Sequence, residues 1–301
     1  MSTTTGGKVP NGTQMGGPRI QETLPDKPQT QVHGRFREFD LQNRVYAVTG
    51  GARGLGLAMA EALVEAGAEV HCLDRLPTPD DEFLRAKQRA RSDYGGSLHY
   101  RQIDVRDERN IDMCMKEIAA LHSRLDGLIA AAGVNHVDKA IEHTTEDINE
   151  VTSINYTGVF VCATAAARQM MLYRCRGAIL LVASMSGIIA NKGMVSPVYN
   201  SSKAAVIQLT RSLAMEWGKV NEEGAGGIRV NCLCPGHIIT PMVEQTIAQN
   251  PGCKDVWESE NMLGRLARPE EFRGAALFLL SEASSFMTGA QLVIDGGHTA
   301  W

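Results

Sequence analysis

The chain has 301 residues, of which 44% are hydrophobic and 21% charged, and a formal net charge of -4. This is the balance of a water-soluble globular protein, and it supplies no basic field to attract nucleic acid. No apolar run approaches the roughly 20 residues that span a bilayer, and the opening MSTTTGGKVPNGTQMGG lacks the charged and apolar regions of a secretory signal, so a cytoplasmic protein with no membrane partner is expected.

Residues 1–38 are rich in Gly, Pro, Thr and Gln and show no hydrophobic period. They carry too little apolar surface to offset the entropy of ordering, which predicts a disordered tail ahead of a single domain over 39–301. From Arg44 the pattern changes to short apolar runs alternating with longer helical stretches. RVYAVT reads as a strand, 54–66 as a helix, EVHCLD as a strand and 80–91 as a charged helix. LHYRQID, a helix over 107–122, the strand DGLIAAAG and helical segments over 145–175 follow. The pattern closes with GAILLVAS, a helix over 198–218, GIRVNCLC, a helix near 269–280 and AQLVID. Seven apolar strands separated by helices predict an α/β fold with a doubly wound, seven-stranded parallel sheet, because parallel neighbours need crossover connections. In this Rossmann-type arrangement, ligands bind outside the carboxyl ends of the strands. The seven cysteines are mostly inside apolar segments, as expected of reduced thiols. Cys232 and Cys234 form C-x-C with no second Cys or His pair at zinc spacing, so no metal site is expected.

The first strand runs into TGGARGLG, comprising Thr49, Gly50, Gly51, Ala52, Arg53, Gly54, Leu55 and Gly56. Glycines at a strand-to-helix turn let backbone approach a pyrophosphate and aim the first amides of the next helix at it. Asp74 closes the second strand twenty residues after Gly54, where a carboxylate can accept both adenosine ribose hydroxyls and repels a 2′-phosphate. That favours NAD as cofactor. Arg53 and Arg75 keep NADP open, because either guanidinium can pair with the phosphate. Asp104, with Val105 after it, stands where the third strand ends and can meet the adenine edge, although helix N-capping is an equal use for an acid there.

Tyr199 and Lys203, in SPVYNSSKAAV, are four residues apart and share a helix face. An ammonium held close by in a dry cleft can bring a tyrosine from a pKa near 10 toward neutrality, fitting it to exchange a proton with an alcohol or ketone. Ser184 ends GAILLVAS at the same sheet edge, where its hydroxyl can bond a substrate oxygen, and Ser186 competes for that role. Asn155, at the start of a helix in INYTGVF, either holds a water on a proton path from Lys203 or caps the helix.

With those residues in place, the chain from about Asn43 onward resembles the short-chain dehydrogenase/reductase family. The family pattern T-G-x-x-x-G-x-G matches Thr49 to Gly56, and its Asn, Ser, Tyr, Lys set falls on Asn155, Ser184, Tyr199 and Lys203. Gly187, three residues on, marks Ser184 rather than Ser186 as the family serine. The P-G-x-x-x-T run matches Pro235, Gly236 and Thr240, with the Ile238 backbone beside them as a further cofactor contact. The resemblance implies that Tyr199 is the acid/base, that Lys203 holds the nicotinamide ribose and that Ser184 polarises the carbonyl. Where the family has N-A-G after its fourth strand, this chain has Ala131, Ala132 and Gly133, so a polar anchor beside the cofactor is missing.

The stretches LVASMSGIIANK, RSLAMEW and LVIDGGHTAW are most similar to fungal mannitol, arabinitol and sorbose dehydrogenases and L-xylulose reductases, which implies a secondary alcohol/ketone substrate of the polyol/ketose type. Expected substrate contacts are Asn135, His136, Asn191, Lys192, His237 and the segment 242–262. An NADPH-dependent carbonyl reductase of secondary-metabolite ketones is the alternative among enzymes, and retention of all four catalytic positions argues against a non-catalytic cofactor-binding regulator. The family pairs subunits through the helices at 155–175 and 199–217, which implies a homotetramer.

Overall fold

The strands form where apolar runs are short and bounded by turns: β1 (Val45–Thr49), β2 (Glu69–Asp74), β3 (Ser97–Gln102), β4 (Gly127–Ala130), β5 (Ala178–Val182), β6 (Arg229–Pro235) and β7 (Gln291–Ile294). In this computed structural model, which describes residues 36–90, 95–192 and 194–301, they make one sheet in the order β3-β2-β1-β4-β5-β6-β7. Every neighbouring pair is parallel. Most of the predicted tail, 1–35, lies outside the described residues. Phe36 to Trp301 is one compact unit, and a single 3-10 turn, Arg37–Phe39, spans the predicted boundary between tail and domain.

Helices α1 (Gly54–Glu65), α2 (Asp81–Arg89), α3 (Glu108–His122), α4 (Thr145–Thr152), α5 (Val159–Leu172), α6 (Pro197–Trp217), α7 (Pro241–Gln249), α8 (Cys253–Glu260) and α9 (Arg273–Leu280) complete the described secondary structure apart from 3-10 turns and one π-helical stretch. None is long and apolar enough to cross a membrane. Successive residues of β1 serve opposite cores: Val45 and Ala47 pack with Ile111, Met115 and Ala163 of α3 and α5, whereas Tyr46 and Val48 pack with Leu57, Leu63 and Phe272. Burial on both faces is why the strands read as continuous apolar runs rather than alternating ones. All seven cysteines are free thiols.

Two expectations are corrected. The helical stretch 145–175 is not uniform, because the π-helical segment Ser153–Gly158 sits between α4 and α5. The predicted strands also overrun the sheet edge: Asp104 and Ser184 each lie two residues beyond β3 and β5, where the chain has already left the ladder. The sheet order reverses between β1 and β4, so connections depart in opposite directions and a crevice opens at their carboxyl ends.

Candidate active site

A cavity of about 470 Å³ occupies that crevice, within the size range of small-molecule and cofactor sites. Gly50, Arg53, Gly54, Leu55 and Gly56 line it on the β1–α1 side. Gly50 and Gly54 need positive φ (66° and 57°), and a Cβ on Gly56 would collide with the Gly50 carbonyl, so the turn and the helix start close on each other only with glycine. Arg53, the N-cap of α1, makes no side-chain cap, which leaves the first amides of α1 without a capping side chain at the cavity wall. Such a helix start is an anion site, and it fits the pyrophosphate of a dinucleotide.

Asp74, Arg75, Asp104 and Val105 line the far end. The Asp74 carboxylate accepts from the backbone of Ala52 (3.2 Å) and Leu76 (3.3 Å), which fixes its direction. The capping role goes to Asp107, which accepts from Asn110 N at 3.0 Å, while Asp104 is paired with Arg106 and held below the usual carboxylate range chiefly by that hydrogen bond. Thr49, expected at the cofactor, does not line the cavity. It sits buried behind the glycine turn, where its Oγ1 accepts from Ala132 N (3.3 Å) and its carbonyl from Ala131 N (3.2 Å). Those two bonds secure the A-A-G turn to β1 without the asparagine the family carries there, and Gly133 keeps its place in the wall.

At the centre, Ser184, Tyr199 and Lys203 line one cavity. Pro197 starts α6 at a position where its missing N–H costs nothing, and it leaves Tyr199 and Lys203 on the first turns. Lys203 Nζ is buried, donates to the Val182 carbonyl at 2.9 Å and lies 5.6 Å from the Tyr199 ring centroid. Burial lowers its pKa to about 8. Contrary to the expectation of a depressed tyrosine, the Tyr199 phenol is raised above its ordinary value, because burial outweighs the hydrogen bond with Ser184. Ser186 does not reach the cavity: its Oγ accepts from Asn191 Nδ2 at 2.5 Å and its N–H donates to Ser184 Oγ at 3.1 Å.

Asn155 neither caps nor begins a helix. It is fully buried in the π-helical stretch, where Oδ1 accepts from Val134 N (2.9 Å) and Nδ2 donates to Val134 O (2.9 Å) and Ser202 Oγ (3.1 Å). With both ends of the amide engaged, its side chain braces the β4 loop. A Cβ on Gly133 would come 3.3 Å from Asn155 Oδ1 and 3.4 Å from Lys203 Nζ, so this glycine keeps the space over the lysine open. Ser202 and Val134 carry no signature of their own in the sequence, since their function is to receive Asn155.

Pro235, Gly236, Ile238 and Thr240 line the wall after β6, joined by Met242, Val243 and Gln245 from α7. Thr240 also caps α7. Of the expected substrate contacts, only Asn135 and this part of the 242–262 segment reach the cavity. His136 turns toward Asp147, Asn191 is tied to Ser186, and Lys192 is exposed. His237 is buried away from the cavity, stacked on Trp257 (4.3 Å between centroids, 11° between planes) and edge-on to His298 (5.3 Å).

Burial pushes the His237 pKa from 6.5 down to about 3. A base depressed in the fold leaves the unfolded chain with more protons between those values, so stability is retained above pH 6.5 and falls as pH drops toward 3, by up to about 1.4 kcal/mol per unit. His237→Phe keeps a ring for Trp257 and removes the titration. Its melting temperature is expected to match wild type at pH 7.5 and exceed it at pH 5. Parallel loss of stability in both proteins on acidification would show that His237 is not the source.

A sequence model described as enoyl-(acyl carrier protein) reductase matches residues 50–299. The chain is 43% identical over 287 residues to the short chain dehydrogenase/reductase notP′ of Aspergillus versicolor, covering 94% of this chain and 96% of that one. It is 35% identical over 273 residues to a ribulose-forming D-arabinitol 2-dehydrogenase of Scheffersomyces stipitis, covering 87% and 96%. A crystal structure of a short-chain type dehydrogenase/reductase from Mycobacterium marinum superposes with a TM-score of 0.80 at 34% identity, over 88% of this chain and 99% of that one.

Proposed function

This chain belongs to the short-chain dehydrogenase/reductase family, an oxidoreductase acting on CH-OH groups with a nicotinamide dinucleotide, and on that premise we propose that it interconverts a polyol and its ketose using NAD(H). The observation that carries the reading is the convergence of Ser184, Tyr199 and Lys203 on one cavity whose other end holds an uncapped helix start and Asp74. When bound, the cofactor supplies the hydride acceptor or donor. The chain's residues do the rest: the Ser184 hydroxyl bonds the substrate oxygen, and Tyr199 takes the alcohol proton in oxidation and returns it in reduction. Lys203, charged at neutral pH, holds the nicotinamide ribose, and Asn155 fixes the floor through Val134 and Ser202.

Asp74 at the cavity wall supports NAD, while Arg53 and Arg75 in the same wall favour NADP as the second reading. The polyol substrate class rests on the likeness to D-arabinitol 2-dehydrogenase. We place the enzyme in the cytoplasm as a homotetramer, supported by large apolar side chains left on the outer faces of α5 and α6, with Phe160 41% and Met215 78% exposed. A monomeric mass in light scattering overturns the assembly. Polyols and ketoses assayed with both cofactors at the nicotinamide absorbance test the activity. The expected result is faster turnover with NAD(H) on a five- or six-carbon pair; a large NADPH preference reverses the cofactor reading, and failure on every sugar pair with activity on other ketones reverses the substrate.

A further inference from the structure

The loop from the carboxyl end of β4 to the first turn of α4 gathers His136, His143 and Asp147. One potential ligand atom from each lies within 4.8 Å of the others. His136 Nδ1 stands 3.7 Å from Asp147 Oδ1, too far for a direct hydrogen bond, and the two imidazole rings are 4.9 Å apart at a 54° tilt. His143 has neither ring nitrogen hydrogen-bonded within the protein, although both atoms are shielded from solvent, and the neighbouring Asn135 Oδ1 is in the same condition. Such groups ask for a partner the polypeptide does not supply. Asp147 Oδ2 is taken by the Thr144 amide (2.9 Å) and hydroxyl (2.7 Å), which hold the carboxyl below its usual range and leave it ionised with Oδ1 free. Asp138, Glu142 and Glu146 add negative charge along the same stretch, against Lys139 alone.

We propose that His136, His143 and Asp147 form a binding site for a first-row divalent metal ion, zinc foremost. Two imidazoles and a carboxylate are a donor set for zinc rather than magnesium or calcium. At bonds of about 2.0–2.1 Å, tetrahedral ligands stand about 3.3–3.4 Å apart, so the three atoms need to close by little more than rotamer adjustment, and a fourth position stays open. The ion pins the β4–α4 loop to α4, and through Asn135 it stiffens the cavity wall that loop supplies.

A second histidine cluster serves as the control. There, Glu69 Oε1 is 2.8 Å from His71 Nε2, Glu69 Oε2 is 3.1 Å from His122 Nε2, and His99 Nε2 is 3.1 Å from Ser97 Oγ, so both carboxylate oxygens and one ring nitrogen of each histidine are already paired, although His71 Nδ1 has no partner. The His71 and His99 rings are also stacked at 17° rather than converging.

The test is a cobalt(II) titration of the purified, untagged full chain, read by ligand-field absorption and reversed with zinc. One saturating equivalent is expected, unchanged in His99→Ala and weakened at least about tenfold in His136→Ala and His143→Ala. Circular dichroism checks folding, and if His143→Ala is unfolded, His136→Ala decides, since its side chain is 36% exposed. No saturable binding, the same affinity in His136→Ala, or loss of binding in His99→Ala overturns the proposal. The readout is binding, so it stands apart from whether the dehydrogenase reading is right.

Discussion

Tyr199→Phe is expected to lower kcat by about 10²–10⁴-fold, the span that positioned acid/base groups contribute, while dinucleotide affinity stays near wild type. The variant loses the hydroxyl that bonds Ser184 in the cavity, whereas the wall proposed for the cofactor is built from the β1–α1 turn, Asp74 and the Pro235–Thr240 loop. Burial holds the free phenol above its ordinary pKa and brings Lys203 down to about 8, so each proton position has a pH consequence. Alcohol oxidation needs the deprotonated tyrosine and should accelerate as pH rises, until the lysine loses its charge above about pH 8. Ketone reduction needs the protonated form and should hold its rate toward neutral pH. Steady-state rates across pH and a fluorescence titration of the reduced cofactor separate chemistry from binding. If the phenylalanine variant kept more than a tenth of wild-type turnover, Tyr199 would not be the acid/base.

The second large effect is expected from Gly187→Ala. A Cβ there would stand 2.6 Å from the carbonyl carbon of Lys203, 2.7 Å from the amide of Ala204 and 2.8 Å from the Lys203 carbonyl oxygen. These are backbone atoms of α6, which cannot rotate aside, so the turn carrying Ser184 must lift off the helix carrying Tyr199 and Lys203. Overpacking of this sort costs about 1–3 kcal/mol, and a shift near 1 Å between reacting groups costs about a hundredfold in rate. The variant should melt several degrees lower and turn over about ten- to a hundredfold more slowly, with cofactor affinity retained. Gly274→Ala is the matched control, because no atom lies within 4 Å of its added Cβ and its φ is unstrained. Wild-type melting and turnover in Gly187→Ala would mean the close approach does not position the serine.

Much of this molecule is legible in the chain. All seven strands fall inside their predicted runs to within a residue or two, because strands buried on both faces must be apolar throughout and must end where glycine or charge begins. The glycine turn, Asp74, Ser184, Tyr199 and Lys203 meet at one cavity as their order along a doubly wound sheet requires. The errors cluster where a residue's partner is distant in sequence. Asn155 reads as a helix start, yet its 21- and 47-residue-distant partners Val134 and Ser202 set its place. Thr49 reads as a cofactor contact, but a turn 83 residues away claims its hydroxyl.

The sequence by itself determined the doubly wound sheet, the glycine turn after β1 and the serine, tyrosine and lysine that line the cavity, since period, glycine spacing and residue chemistry are local properties. Tertiary structure alone decided that the Asn155 side chain is committed to Val134 and Ser202, that His237 belongs to a buried stack with Trp257, and that burial governs the Tyr199 proton. Those outcomes depend on desolvation and on which side chains fill the space around a group, and both are set by segments that meet only after the chain has folded.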